Sequence, residues 1–278
     1  MHCHSSIRTS LIVLASSLAL IGSAAAQDVG DERADLSEEE ALAKQSQNPV
    51  ANLISLPFQN NTTFGVGPSD AVVNKFNIQP IYPIGIGKFT IINRFILPVT
   101  YQGEVVPGIG SEFGLGDLSY TAFVSPAKAS KITWGIGPSF VIPTATADRL
   151  GSGKWSAGIG IVVLMMPGRW VVGGLVQNTW SFAGDENRAD VNFFFSQYFV
   201  TYVLPSRLYF TSSPIITANW EAESGQQWTV PLGGGLGKLV KVGKTPVDLQ
   251  VQAFYNVVKP DFAGDWSLRL QFKLLFPK

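Results

Sequence analysis

The stretch from Trp266 to Phe276 alternates between apolar and polar side chains. Apolar residues hold the even positions, and Ser267, Arg269, Gln271 and Lys273 hold the odd ones as far as 273. Because successive side chains on a β-strand point to opposite faces, this pattern predicts a strand with one apolar and one polar, basic face. A soluble sandwich and a membrane barrel both contain such strands, so the rest of the sequence must decide which solvent each face meets.

The same period of two recurs from Pro49 onward, where no amphipathic helical pattern persists. The segments are each about as long as the 9–11 residues with which a tilted strand crosses a membrane. Short turns alternate with longer polar loops between them, as in outer-membrane barrels. The pattern predicts an all-β fold, a transmembrane antiparallel up-and-down β-barrel of about twelve strands. The expected strands are 49–58, 72–83, 88–100, 116–125, 131–143, 154–166, 169–182, 191–204, 207–220, 228–239, 245–258 and 266–276.

Composition fits a membrane protein better than a nucleic-acid-binding one. Charged residues make up 14% of the chain, and 20 basic residues balance 20 acidic ones. Soluble domains average about 25% charged residues. No excess of positive charge points to nucleic acid, so we expect no nucleic-acid partner.

The N-terminal segment resembles a secretory signal peptide. An apolar run from Leu11 to Ile21 precedes Ala24-Ala25-Ala26, which fits a cleavage site. We therefore expect a signal peptide at 1–26, an acidic segment at 27–48 with a periplasmic helix from about Glu38 to Gln47, and the barrel at 49–278. Removal of 1–26 would take away both histidines and the lone cysteine, so we expect no metal, no cofactor and no triad-type catalysis.

Tryptophan placement suggests the two membrane interfaces. Trp134 and Trp170 fall nearer the short turns, whereas the other five fall beside the long loops. Tryptophan is enriched where a barrel wall meets the headgroup region of the bilayer. The predicted aromatic belt at the loop end consists of Trp155, Trp180, Trp220, Trp228 and Trp266.

Alternate residues of each strand form a polar face, and these polar faces predict the lining of the lumen. Such a lining could select solutes by charge and hydrogen bonding, or it could be a satisfied polar network that fills a narrow barrel. The acidic N-terminal helix could occupy the lumen or hang below it. The predicted lumen-facing residues are Lys75, Arg94, Gln177, Thr217, Asn219, Asp248, Gln250, Gln252, Asn256, Arg269, Gln271 and Lys273.

The sequence contains few features that indicate an enzyme. The glycine-rich "LGSGKW" and "GGGLGK" lack the spacing and context of nucleotide-binding loops. Asp117, Asp185 and Asp190 are candidate carboxylates, but no pair has a spacing that implies proton sharing, and turn or loop positions explain them. We expect no enzyme; a membrane-embedded hydrolase that uses Asp117 stays the least favoured alternative.

Five stretches carry a resemblance to a known family. They are "LAKQSQNPVANLISLPFQNNTTFGVGP", "FGLGDLSYTAFVSPAK", "GIGPSFVIPTATADRLGSGKW", "FTSSPIITANWEAESGQQWTVPLGGGLGK" and "QAFYNVVKPD". They resemble a bacterial outer-membrane β-barrel family often labelled "neuromedin U" or "transporter", akin to the phenol-degradation meta-pathway barrel proteins. The resemblance implies uptake of small molecules, hydrophobic ones among them, and it brings no catalytic or binding residues.

These observations converge on a bacterial outer-membrane channel or transporter. Its expected partners are outer-membrane lipid, the barrel-assembly machinery and a small-molecule solute. A structural or adhesive barrel with a plugged lumen is the alternative. The sequence leaves the solute and the oligomeric state open.

Overall fold

The computed structural model describes residues 37–128 and 130–277. One helix precedes fifteen strands, and a 3-10 turn spans Asp148–Leu150. The helix is α1 (Glu38–Ser46), which agrees with the predicted helix. The strands are β1 (Ile54–Val66), β2 (Ala71–Ile78), β3 (Ile81–Ile86), β4 (Phe89–Gln102), β5 (Glu112–Leu115), β6 (Leu118–Pro126), β7 (Ile132–Ile142), β8 (Lys154–Met165), β9 (Trp170–Gly184), β10 (Asn192–Val203), β11 (Leu208–Ser212), β12 (Ile215–Asn219), β13 (Trp228–Val242), β14 (Thr245–Val258) and β15 (Trp266–Phe276).

The strands form a closed antiparallel barrel with twelve strand positions around the ring. Each position is called a stave here. Three staves consist of two strands each, namely β2 with β3, β5 with β6, and β11 with β12. The ring closes where β15 pairs with β1 from Ile54↔Phe276 to Phe64↔Trp266. Closure confirms the predicted fold class and excludes two stacked sheets.

Proline and glycine account for the interrupted staves. Pro80 separates β2 from β3, Gly116 separates β5 from β6, and Pro214 separates β11 from β12. The strand predicted at 88–100 is β4, which runs from Phe89 to Gln102 with Pro98 inside it. Pro98 lies opposite the gap between β5 and β6, where its carbonyl accepts a hydrogen bond from Gly116 N at 2.8 Å and its missing N–H costs little.

The predicted bounds of the first strand are wrong. The strand begins at Ile54 instead of 49 and runs to Val66 through a stretch that the sequence suggested was a loop. Polar residues occupy both faces of the strand there, so the sequence shows no alternation between apolar and polar residues. On the outer face Asn74 Nδ2 donates to Asn60 Oδ1 at 3.0 Å and to Thr62 Oγ1 at 2.7 Å, so these polar groups satisfy one another.

The apolar parity faces outward and the polar parity faces inward. On β14, Val251 is exposed while its neighbour Gln252 is fully buried, and on β15 Leu270 is exposed while Arg269 is buried. Large apolar side chains therefore cover the outside of a closed cylinder, a surface that suits hydrocarbon and not water. This answers the question of which medium each face of the final strand meets.

One end of the barrel carries short turns, such as Gly243-Lys244 between β13 and β14; it is called the turn end here. The other end carries longer segments, such as residues 143–153 and 185–191, and is called the loop end. Within the described ranges, the structure contains no helix long and apolar enough to cross a membrane.

Candidate functional site

The turn end of the lumen holds residues 38–53, called the plug here. Lys44 Nζ donates to the carbonyl oxygens of Met166 (3.1 Å) and Gly168 in the β8–β9 turn. On the opposite side, Lys273 Nζ donates to Ser46 O at 2.6 Å. Gln47 Nε2 donates to Asp248 Oδ2 at 3.1 Å. The plug is thus hydrogen-bonded to the inner wall on several staves.

Apolar packing also holds the plug. Val50 belongs to a buried cluster with Phe123 and Leu164 of the inner wall. Ala43 and Leu53 belong to a second buried cluster that includes Tyr209 and Leu239. Segment 49–53, which the sequence analysis assigned to the first strand, therefore lies against the inner wall as part of the plug.

Ion pairs surround the mouth at the turn end. Glu39 contacts Arg207 at 2.7 Å and Lys241 at 2.8 Å, and Glu40 contacts Arg169 at 3.2 Å. Three glutamates in the first turn of α1 also interact favourably with the helix dipole. The hydrogen bond from Lys241, aided by Arg207, lowers the pKa of Glu39 below its ordinary value.

A layer of polar side chains lies above the plug. Tyr209 Oη donates to Asp248 Oδ1 at 2.5 Å, and Lys273 lies 3.7 Å from the other oxygen of this fully buried carboxylate. Gly237 is required on the neighbouring stave, because a Cβ there would collide with the Tyr209 ring. The network is satisfied by the chain itself, as buried polar groups require.

Arg269 links staves that are not neighbours. Its Nη1 donates to Ser213 O at 2.8 Å, and its Nε donates to Asn61 Oδ1 at 2.9 Å. Its guanidinium also lies 4.9 Å from the centre of the Phe254 ring. Gln252 Oε1 accepts a hydrogen bond from Ser213 N at 3.1 Å, so Ser213 is bonded to both Gln252 and Arg269.

Both halves of the lumen contain a cavity. In the turn half, a cavity of about 470 Å³ lies between one side of the plug and β4, β6 and β7, and Asn48, Val50 and Thr133 are among its lining residues. The loop half holds no part of the plug. It contains a cavity of about 480 Å³, called the chamber here. A smaller cavity of about 110 Å³ lies between the plug and the polar layer, and Arg94 lines both cavities. The chamber is lined by Lys75, Arg94, Ile96, Pro98, Asp117, Ser119, Thr121, Val141, Leu150, Ser152, Ser156, Gln177, Thr179, Val191, Phe193 and Phe195.

The predicted lumen residues occupy three levels of the inner rows. Lys75, Arg94 and Gln177 line the chamber, whereas Gln250, Gln271 and Lys273 line the smaller cavity. Asp248, Gln252 and Arg269 belong to the buried polar network. The remaining three lie toward the loop end: Asn256 donates to Gly264 O, and Thr217 and Asn219 pair with the inward-facing Phe195 and Phe193.

Sequence reasoning missed the aromatic part of the lining. Phe193 and Phe195 share a parity on β10 with Gln197 and Thr201, and this shared row was the available signal. Tyr209 was missed because an aromatic residue on a barrel strand suggests the lipid face, yet its hydroxyl and the glycine opposite it place it inside.

All seven tryptophans lie on the outer face, with 37–48% of their surface exposed. Trp155, Trp180, Trp220, Trp228 and Trp266 lie at strand ends next to the loop end, and Trp134 and Trp170 lie toward the turn end. Trp220 Nε1 donates to Asn178 Oδ1 at 3.0 Å, so even its polar atom is satisfied by the wall. A membrane-interface role for these residues is our proposal.

The candidate carboxylates serve loop structure. Asp117 accepts hydrogen bonds from Ala145 N (3.2 Å), Ser152 N (2.7 Å) and Ser152 Oγ (2.9 Å), and so fastens the 143–153 loop. Asp185 caps the turn at Asn187. Asp190 pairs with Lys154 at 3.2 Å, and this hydrogen-bonded partner lowers the Asp190 pKa. In the described ranges no cluster of three His, Cys, Asp or Glu side chains could hold a metal ion.

Similar solved structures are barrels of the outer membrane. No protein-family model and no curated protein matches the chain. An outer-membrane channel from Pseudomonas putida F1 matches with a TM-score of 0.63 at 16% identity, over 81% of this chain and 94% of the channel. The chain has the fold of an outer-membrane β-barrel.

Two further structures superpose more loosely. The CymD monoaromatic hydrocarbon channel matches with a TM-score of 0.44 at 8% identity, over 84% of this chain and 92% of CymD. Outer membrane phospholipase A from Escherichia coli matches with a TM-score of 0.43 at 12% identity, over 80% of this chain and 92% of the phospholipase. Scores this low support no conclusion about function.

Proposed function

We propose that the protein is an outer-membrane channel for small molecules, closed in this structure at the turn end by the plug. The observation that carries the proposal is the chamber, an internal space of about 480 Å³ in a closed barrel. A lumen filled completely by side chains would leave no room for a solute, whereas this space is lined by cations and aromatic rings that a small molecule could contact. The solute would pass from the chamber, past Arg94, to the smaller cavity and the plug.

The family that the sequence resembles supports the same function. Its members are suspected of taking up small molecules, and the P. putida structure with the same fold is an outer-membrane channel. We propose the outer membrane as the location, with lipid around the apolar outer wall and the assembly machinery as the partner that inserts the barrel.

A structural barrel with a permanently plugged lumen is the second candidate. The feature that favours it is the packing of the plug in the turn half, where residues of the plug belong to two buried apolar clusters. The two candidates differ in one property. A channel must release the plug, whereas a structural barrel need not.

Liposome swelling separates them. The full chain is reconstituted and swelling rates are measured in sugars and amino acids of increasing size. A double variant, Arg169→Gln with Arg207→Gln, removes two cations that pair with α1. The control, Lys88→Gln with Lys131→Gln, removes two exposed cations from turns at the same end.

We expect slow swelling for the full chain and for the control, and faster swelling for the double variant. Heat-modifiable gel migration shows in each case that the barrel has folded. If folded barrels of all three proteins gave no swelling above empty liposomes, the channel proposal would fail and the structural barrel would stand.

A further inference from the structure

The chamber presents two cations without matching anions. Lys75 lies on β2 opposite Thr100 of the adjacent β4, and Arg94 lies six residues from Thr100 toward the turn end, so the two cations line the chamber at different heights. Lys75 forms no ion pair and no hydrogen bond with any described residue, and it is exposed within the barrel. Arg94 has one side-chain partner among the described residues, the neutral amide of Gln79, at 3.4 Å.

The single carboxylate in the lining, as far as the structure describes the chain, does not neutralise them. Asp117 lies at the loop end, where one backbone N–H and both donors of Ser152 occupy its oxygens at 3.2 Å or less. It makes no ion pair with a described residue. The inner wall as a whole carries more positive than negative charge. Away from the rims, the charged inward-facing residues on the described strands are four cations, Lys75, Arg94, Arg269 and Lys273, and one carboxylate, Asp248. Such a field in a confined space attracts anions.

The far side of the chamber is aromatic. Phe193 and Phe195 lie on β10, six staves around the ring of twelve from β2. Phe193 is on an inner row, yet 38% of its surface is exposed, so open space adjoins the ring. Val191, next to the start of β10, extends the apolar lining on this side, and Ile96 of β4 and Val141 of β7 add apolar side chains elsewhere in the chamber. An apolar body of a solute could contact these side chains.

One buried polar atom also lacks a partner. Ser156 is 1% exposed and lines the chamber, and its Oγ makes no hydrogen bond in the described structure. Buried hydroxyls are normally satisfied. Because less than 1 Å² of this oxygen is exposed, a solute oxygen could reach it only if the surrounding wall moved.

We propose that the chamber binds small monoanions with an apolar or aromatic body, of which an aromatic carboxylate is the simplest form. Lys75 and Arg94 attract the carboxylate into the chamber, and the ring contacts Phe193 and Phe195. The volume of about 480 Å³ lies within the range of roughly 300–1,000 Å³ that small-molecule pockets occupy. As the substrate class of a channel this rests on the proposed function, although binding is measurable whether or not the solute crosses.

The test is calorimetric titration of the folded full chain in detergent with benzoate and with benzamide, its neutral isostere. The two cations favour benzoate, and we expect it to bind about tenfold more tightly. Lys75→Gln should remove most of this preference, and Arg94→Gln should act in the same direction. Phe193→Ala should weaken both ligands alike.

Lys238→Gln is the matched control, because Lys238 is exposed on the outer face near the turn end. It should leave both affinities unchanged. Since Lys75 is exposed, its replacement should not impair folding, which gel migration checks. Equal affinity for benzoate and benzamide, no binding of either to the folded barrel, or a preference that survives Lys75→Gln would each overturn the inference. Benzoate binding without solute flux would leave the inference standing and defeat the proposed channel.

Discussion

The two halves of the lumen use the same strands in different ways. In the turn half, inward side chains such as Phe123 and Leu164 are buried against Val50 of the plug. In the loop half, inward side chains such as Phe193 and Lys75 border the open chamber. The position of a residue in the alternation along a strand therefore determines which way its side chain points. Whether the space in front of it is filled depends on a segment outside the barrel wall.

The largest difference should appear in stability. Phe123→Ala removes a fully buried ring from the turn half, and large-to-small changes of this kind cost about 3–5 kcal/mol. Phe193→Ala removes the same ring from the chamber wall, where it is partly exposed, and should cost less than half as much. Equilibrium unfolding in urea, with the barrel in detergent micelles, measures both. Equal losses would show that the chamber is as tightly packed as the plug region.

A second pair of variants tests the polar layer between the halves. Tyr209→Phe removes the hydroxyl that donates to the buried Asp248, and hydrogen bonds to charged groups contribute about 1.5–3 kcal/mol. Tyr255→Phe is the control, since Tyr255 is 59% exposed on the outer face. The same unfolding measurement should show a loss for the first variant and almost none for the second. A loss of similar size in both would contradict the proposed buried network.

A third variant tests how firmly the plug is held. In a Cys3→Ser chain, Ala43→Cys places a thiol where the side chain is fully buried, so maleimide should react slowly. Arg169→Gln weakens the pair with Glu40 by an expected 1 kcal/mol or so, because Arg169 is partly exposed. The labelling rate should then rise about fivefold, while Lys131→Gln leaves it unchanged. An unaltered rate in the Arg169 variant would show that the Arg169–Glu40 pair does not hold the plug.

The smallest effect concerns pH. Because Lys241 and Arg207 lower the pKa of Glu39, its contribution to plug binding is present above its ordinary value of 4.5 and is lost as the pH falls through the lower folded value. A nitroxide at Gln45→Cys reports plug mobility by electron paramagnetic resonance. Mobility should be lower in the parent than in its Glu39→Gln variant at neutral pH, and this difference should vanish in acid. A difference that grew in acid would reverse the sign we assign.

Much of the barrel could be predicted from the chain because its walls carry a period of two. The final strands show this best, since Val251/Gln252 and Leu270/Arg269 alternate as expected. The bounds of the first strand were predicted wrongly because Asn60, Asn61, Thr62 and Thr63 put polar groups on both faces. Only the neighbouring strands and the Asn60–Asn74 contact on the outer face explain these polar groups. Local pattern cannot show such tertiary compensation.

The candidate site was less accessible to sequence reasoning. Parity could nominate Lys75 and Arg94 for the lumen, but not their placement opposite Phe193, which depends on the closure of twelve staves. Residues 49–53 were expected to belong to the first strand, yet they lie in the plug because β1 begins at Ile54. A short apolar segment does not show by itself whether it belongs to the barrel wall or packs inside it.

Planar-bilayer recording tests the central claim most directly. The full chain is compared with a chain that lacks residues 38–53, and gel migration confirms that both barrels are folded. We predict brief, small currents for the full chain and a steady, larger conductance once the plug is absent. A folded barrel without the plug that carried no current above the bare bilayer would contradict the account, since the plug would then not be what closes the lumen.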